Sequence, residues 1–302
     1  MSPASASPSS IEICDVGPRD GLQNEERSLS PGTRAELCNR LAAAGLRRIE
    51  AVSFVNPARV PQMAGAEEVL EAVERADGVS YAGLVLNLRG YERALAAGVD
   101  EVHYAFPVTD TFAARNQGTT VEAAIETAAE IAARAHEDGL RASVTLAASF
   151  GCPFEGRVAA DHVLRVAERV LRGEPDELVF ADTIGVGVPP QATELVSGGL
   201  ALGAKVGCHF HNTRNTGFAN ALAALEAGAS LLDASVGGSG GCPFAPGAAG
   251  NIATEDLVYM LDGMGVATGV RLDALLETAA WLSTRLGREL PSMTAKAPAF
   301  PG

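Results

Sequence analysis

Aromatic residues are scarce in this chain, with ten Phe, four Tyr and one Trp among 302 residues. A core short of bulky rings must be filled by small and aliphatic side chains, which suits helices packed closely on a sheet more than an all-β sandwich. Basic residues are also outnumbered, 23 Lys and Arg against 37 Asp and Glu, for a formal net charge of −14. That excess repels nucleic acid and anionic membrane surfaces, so neither is an expected partner. An anionic small molecule would have to find locally placed cations or backbone N–H groups. The five cysteines, Cys14, Cys38, Cys152, Cys208 and Cys242, are widely spaced with no C-x-x-C pair. This argues against a disulfide framework or a structural zinc site and for a reducing, cytoplasmic setting. No apolar run approaches the roughly 20 residues that cross a bilayer. The opening MSPASASPSS lacks the apolar core of a signal peptide and the Arg-rich face of a transit peptide. Residues 1–10 read as a disordered tail and residues 11–302 as one domain.

What is abundant is Ala and Gly, arranged in alternating segments. Short β-branched or apolar runs read as strands at Ile11–Val16, Arg48–Val52, Ser80–Leu86, Glu101–Phe106, Arg141–Ala147, Glu177–Ala181, Lys205–His211 and Leu231–Val236. Longer stretches with apolar residues three and four apart read as helices, among them Pro31–Ala44, Val121–Glu137, Ala159–Leu171 and Thr254–Met264. Several helices stop at Ala-Gly or Asp-Gly just before the next strand, as at Ala44-Gly45 and Asp138-Gly139. Eight β/α units in about 270 residues match the count and length of a (β/α)8 TIM barrel, here with a short C-terminal helix, Leu272–Leu286. A doubly wound open sheet is the alternative, because alternation alone does not prove closure.

In such a barrel chemistry sits where the strands end. The seventh strand ends Cys208-His209-Phe210-His211-Asn212. Side chains two apart point to one face about 6.5–7 Å apart along the strand, so two imidazoles there can converge on one ion. The first strand runs into Arg19-Asp20-Gly21, where Asp20 offers a hard oxygen ligand or caps a turn, and Arg19 offers a fixed cation. Glu50 lies in an apolar second strand, which is expensive unless it is ligated or paired, for instance with Arg47 or Arg48. Asp182 and Thr183 end strand six, where Asp182 faces the site or caps the following helix. After strand eight a glycine loop carrying Cys242 reads as a lid, and Asn251 beyond it reaches a metal or caps a helix. Two imidazoles, a carboxylate and an amide oxygen suit Mg²⁺ or Mn²⁺, with Zn²⁺ in an open site as the alternative.

Five segments in order, GPRDGLQNE from Gly17, SFVNPARVPQM from Ser53, GCPFEG from Gly151, ADTIGVG from Ala181 and GGCPFAPGAAGNIATEDLVYML from Gly240, resemble 3-hydroxy-3-methylglutaryl-CoA lyases, from about Glu12 to Met264. The resemblance implies a divalent metal held by Asp20, His209, His211 and Asn251, with Glu50 as a supporting acid. It implies Arg19 as the cation for an enolate and Cys242 as a late proton donor. Gln23, Asn116, Asp182, Thr183 and Arg214 are candidates for binding an acyl-CoA substrate, and Arg115 or Arg157 for its phosphates. The implied reaction cleaves a thioester to acetyl-CoA and a keto acid, as in leucine breakdown, and the expected assembly is a homodimer or homotetramer. The sequence departs from the lyase pattern at Asn212-Thr213-Arg214-Asn215-Thr216, Val52, Phe154 and Phe244, so a different 3-hydroxy-3-substituted acyl-CoA is an alternative substrate. A Claisen-condensing synthase is a second alternative, although such enzymes usually carry a further C-terminal domain. A non-catalytic barrel is a third.

Overall fold

The structure, a computed structural model, describes residues 8–241 and 250–298. Its strands are β1 (Glu12–Asp15), β2 (Arg48–Ser53), β3 (Ser80–Val85), β4 (Glu101–Pro107), β5 (Arg141–Ala147), β6 (Glu177–Asp182), β7 (Val206–Phe210) and β8 (Leu231–Ala234). Each pairs in parallel with the next, and β8 returns to β1 with Glu12 opposite Leu231. The sheet is therefore a closed TIM barrel, and the open doubly wound arrangement is excluded.

The helices are α1 (Pro31–Ala43), α2 (Ala66–Ala72), α3 (Leu88–Ala96), α4 (Asp110–Gln117), α5 (Val121–Glu137), α6 (Ala160–Leu171), α7 (Pro189–Ala201), α8 (Gly217–Glu226), α9 (Thr254–Gly263) and α10 (Leu272–Leu286). α5 shows why such segments form. Thr120 caps it by accepting from the Ala123 N–H at 3.2 Å, and Ala124, Ile125, Ala128, Ile131, Ala132 and Ala135 bury one face. Small residues let the helices sit close to the barrel. A Cβ at Gly199 on α7 would come within 3.0 Å of Val206 and Phe180, so only glycine permits that approach. α4 escapes the periodicity because it spans 8 residues with only Phe112 and Ala113 buried.

Most of the apolar core lies between strands and helices, whereas inside the barrel only Cys14, Val16, Val179 and Leu231 form a small apolar cluster. A buried charge network shares the lower interior with it. Arg48 on β2 donates to both oxygens of Glu101 on β4 and, at 2.6 Å, to Glu177 on β6, all three essentially without exposure. At the N-terminal end, Ser9 and Ile11 exchange backbone hydrogen bonds with Ala267. No helix of the described residues is long and apolar enough to cross a membrane.

Candidate metal centre and active site

The chain leaves β1 through a single π-helical turn, Gly17–Gly21, a tight geometry that turns Arg19 and Asp20 into the barrel mouth. Asp15 fixes the start of that turn by accepting from the Gly17 N–H at 2.8 Å, and it also accepts from the Thr254 hydroxyl at 2.6 Å. On β7 the two-residue spacing does what the alternation of a strand requires. The rings of His209 and His211 lie side by side with centroids 5.1 Å apart. Asn251 reaches them because the backbone at His211 bridges to it, with Asn212 N–H donating to Gly250 and Ile252 N–H to Phe210. That approach depends on glycine: a Cβ at Gly250 would fall 2.2 Å from the Gly240 carbonyl oxygen.

Asp20, His209 and His211 converge. Asp20 Oδ2 is 4.0 Å from His209 Nε2 and 3.7 Å from His211 Nε2, and one ligand atom from each of the three lies within 4.8 Å of the others. Asn251 donates through Nδ2 to the same Asp20 oxygen at 2.9 Å, while its Oδ1 is buried without a partner. Two imidazoles and a carboxylate whose ligand atoms converge, with a buried side-chain amide against the carboxylate, are a donor set that fits a divalent cation. Burial would raise the Asp20 pKa, but Arg19 and the two imidazoles outweigh it and hold the carboxyl well below its usual range. For His209, burial favours the neutral ring, yet the hydrogen bond to Asp233 and the charge of Asp20 raise its pKa.

Asp233, on β8, is a residue that sequence reasoning passed over. Its Oδ2 lies 3.2 Å from His209 Nδ1, so it orients the ring with Nε2 toward the cluster. The available signal was an acid inside the apolar strand Leu231-Leu232-Asp233-Ala234.

Arg19 is gripped on two sides. Its Nη1 donates to Asp20 at 2.5 Å and its Nε donates to Glu50 Oε2. No bond from its Nη2 is seen among the described residues. The expected pairing of Glu50 with Arg47 or Arg48 is not what forms. Arg48 lies one pleat lower and serves Glu101 and Glu177, and Glu50 instead takes Arg19 and His103. Burial would raise Glu50, but Arg19 and His103 lower its pKa and keep it ionised.

These groups open on a cavity of about 830 Å³ at the C-terminal ends of the strands. Gln23, Asn116 and Thr183 line it. Asp182 does not: it is fully buried and its oxygens accept from the Val186 and Gly187 N–H groups, holding the loop after β6. Arg214 is also outside the cavity, donating to the Ile184 and Gly185 carbonyls, because the chain turns outward after His211. None of Asn212 to Thr216 lines the cavity, nor do Val52 or Phe154. Arg115 stacks on Phe154 at 4.4 Å and Arg157 is not at the wall, whereas Arg59 and Arg89 are. Cys242, Phe244 and the middle of the expected lid, 242–249, lie outside the described residues.

An eight-stranded barrel with a three-residue cation cluster and an anchored guanidinium in its mouth is the framework of a metal-assisted barrel enzyme. The chain matches the family described as HMGL-like over residues 10–282, and it belongs to that family. It is similar to (R)-citramalyl-CoA lyase of Chloroflexus aurantiacus, 45% identical over 305 residues and 96% of each chain. It is also similar to hydroxymethylglutaryl-CoA lyase of Pseudomonas mevalonii, 42% identical over 92% of this chain and 93% of that one. Among solved structures, an HMG-CoA lyase from Acinetobacter baumannii in complex with coenzyme A and 3-methylmalate superposes with a TM-score of 0.92 at 37% identity, covering 98% of this chain and 100% of that one. The protein is a carbon–carbon lyase of this family.

Proposed function

We propose that the chain cleaves a 3-hydroxy-3-methyl acyl-CoA bearing a carboxylate, releasing acetyl-CoA and a keto acid. HMG-CoA, which would give acetoacetate, and citramalyl-CoA, one methylene shorter, are the two candidate substrates, as the two relatives are named for them. The observation that carries the reading is the convergence of Asp20, His209 and His211 beside the anchored Arg19.

A divalent ion, Mg²⁺ or Mn²⁺ given the mixed N/O donors, would be held by Asp20, His209, His211 and the Asn251 amide oxygen, where it would acidify the substrate's tertiary hydroxyl. The hydroxyl proton goes to Asp20 or His209. Both oxygens of Asp20 already accept, one from Arg19 and one from Asn251, and Nδ1 of His209 is committed to Asp233, which leaves His209 its Nε2 on the cluster side. As the C2–C3 bond breaks, its electron pair moves onto the thioester and the former carbinol carbon becomes a ketone. Arg19 then stabilises the enolate oxygen, a contribution typically of a few kcal/mol. The Cys242 thiol returns a proton to C2. The phosphates of CoA are received by Arg59 and Arg89, exposed cations on the cavity wall for which no ion pair is seen among the described residues. Gln23, Asn116 and Thr183 line the path between. A homo-oligomer working in the cytoplasm belongs to the same reading.

The test is acetyl-CoA release from a panel holding HMG-CoA, citramalyl-CoA and their des-methyl analogues, with Mg²⁺ or Mn²⁺ present. Metal-dependent cleavage of at least one is expected. Failure on all of them, with the protein folded and metal bound, would sink the proposal.

A further inference from the structure

Beneath the cation cluster stands a histidine that the reaction leaves unused. His103, on β4, is 7% exposed and sits between two carboxylates. Its Nδ1 is 2.9 Å from Glu50 Oε1 on β2, and its Nε2 is 3.4 Å from Glu101 Oε1 on its own strand. The other Glu50 oxygen holds Arg19 Nε. The charges around the ring are Glu101 from β4, Glu50 and Arg48 from β2, and Arg19 from the turn after β1. Arg141 of β5 reaches only Glu101, at 4.0 Å, and β3 carries no charged side chain.

A neutral ring would leave these carboxylates short of cations. The two that face the ring, Glu50 and Glu101, share their guanidiniums: Arg19 also serves Asp20, and Arg48 also serves Glu177, which has Lys205 at 3.3 Å besides. Burial by itself favours the uncharged imidazole, but Glu101 and Glu50 outweigh it and raise the ring's pKa to about 9. With both ring nitrogens protonated, His103 donates to Glu50 and turns its second nitrogen toward Glu101.

We propose that His103 is a positioning residue, an imidazolium that clamps one oxygen of Glu50 so that the other fixes the Arg19 guanidinium where it meets the enolate. Glu50 then has no oxygen free to move a proton, and its part in the reaction is to anchor Arg19. Donors fixed before the charge develops need no reorganisation when it does, which is the source of their effect. The inference rests on the lyase reading of Arg19.

Two measurements test it. Ring ¹⁵N shifts of the full chain labelled at histidine, assigned with His103→Gln, are followed from pH 6 to 10. His103 is expected to carry both protons at pH 7.5 and to titrate near pH 9. Steady-state kinetics of His103→Gln and His103→Leu with the best substrate of the panel come second. For the Leu variant kcat is expected to fall about tenfold or more, the usual scale for losing a supporting hydrogen-bond partner, with KM little changed and Gln recovering part of the loss. The fall of wild-type activity near pH 9 should be displaced in His103→Gln, which a merely structural residue would not produce. If the Leu variant does not fold, the Gln variant and the ring titration decide. A neutral ring at pH 7.5, or wild-type kcat in His103→Gln across the pH range, overturns the inference while the lyase stands. A wild-type chain without lyase activity overturns the reading on which it rests.

Discussion

Two belts of charge line the inside of this barrel, one pleat apart, and they are built from the same residue types. In the lower belt, Arg48, Glu101 and Glu177, charge meets charge: the arginine spends its donors on the two carboxylates, and the Glu177 oxygen left without a hydrogen bond has Lys205 at 3.3 Å. The upper belt, Arg19, Asp20, His209, His211 and Asn251, is open. It faces the cavity and retains a buried Asn251 Oδ1 and a His211 Nδ1 without partners. Glu50 and His103, each two residues along its strand from a lower-belt charge, connect instead to the upper belt through Arg19. What separates the belts is that the lower one pairs acids with its own cations, whereas the upper one gathers metal-ligating atoms at the cavity.

Breaking the lower belt should have the largest effect. Arg48→Met leaves two buried carboxylates without their cation and is expected to cost about 3–5 kcal/mol of stability, read from denaturant midpoints. The pH dependence of that stability follows from signs. Glu101 and Glu50 titrate below their ordinary 4.5, so their contribution is complete above that and is lost as the pH falls through the lowered values. His103 titrates above its ordinary 6.5, so its share is complete below 6.5 and is lost as the pH rises through about 9. An intermediate effect belongs to the upper belt. Asp233→Asn is expected to weaken Mn²⁺ binding about 10–100-fold, with the unfolding midpoint nearly unchanged. The smallest effect is predicted for Arg214→Ala, which removes an exposed side chain bonded only to loop carbonyls. Its stability should stay within roughly 0.5 kcal/mol of wild type, and its KM should be unaltered. A raised KM would put Arg214 back in contact with substrate.

The upper belt was the more legible of the two in the sequence. His209 and His211 could be read because strand alternation is local and the barrel rule says which strand end matters. Asp20, by its place after β1, read equally as a ligand or as a turn cap, and the structure brings it to the two histidines. Glu50 was recognised as an expensive buried acid, but its true partners lie 31 and 53 residues away, at Arg19 and His103, and no local pattern carries that separation. The lower belt was invisible for the same reason, since Arg48 finds Glu177 across 129 residues. Residues near the histidines in sequence misled in the opposite direction. Asn212 accepts from the Gly217 N–H at 3.1 Å, and Arg214 ties down the neighbouring loop, so adjacency to a candidate ligand did not mean a place on the cavity wall. Asp182 looked the same as Asp20, an acid at a strand end, until its two backbone partners were known.

Mn²⁺ binding to the full chain, measured by calorimetry for the wild type, His211→Ala and Arg48→Met, tests the contrast between the belts most directly. One ion per chain is expected for the wild type, none for His211→Ala despite an unchanged unfolding midpoint, and one for Arg48→Met under conditions where it remains folded. An ion bound as well by His211→Ala as by the wild type, or none bound by the wild type, would contradict the account.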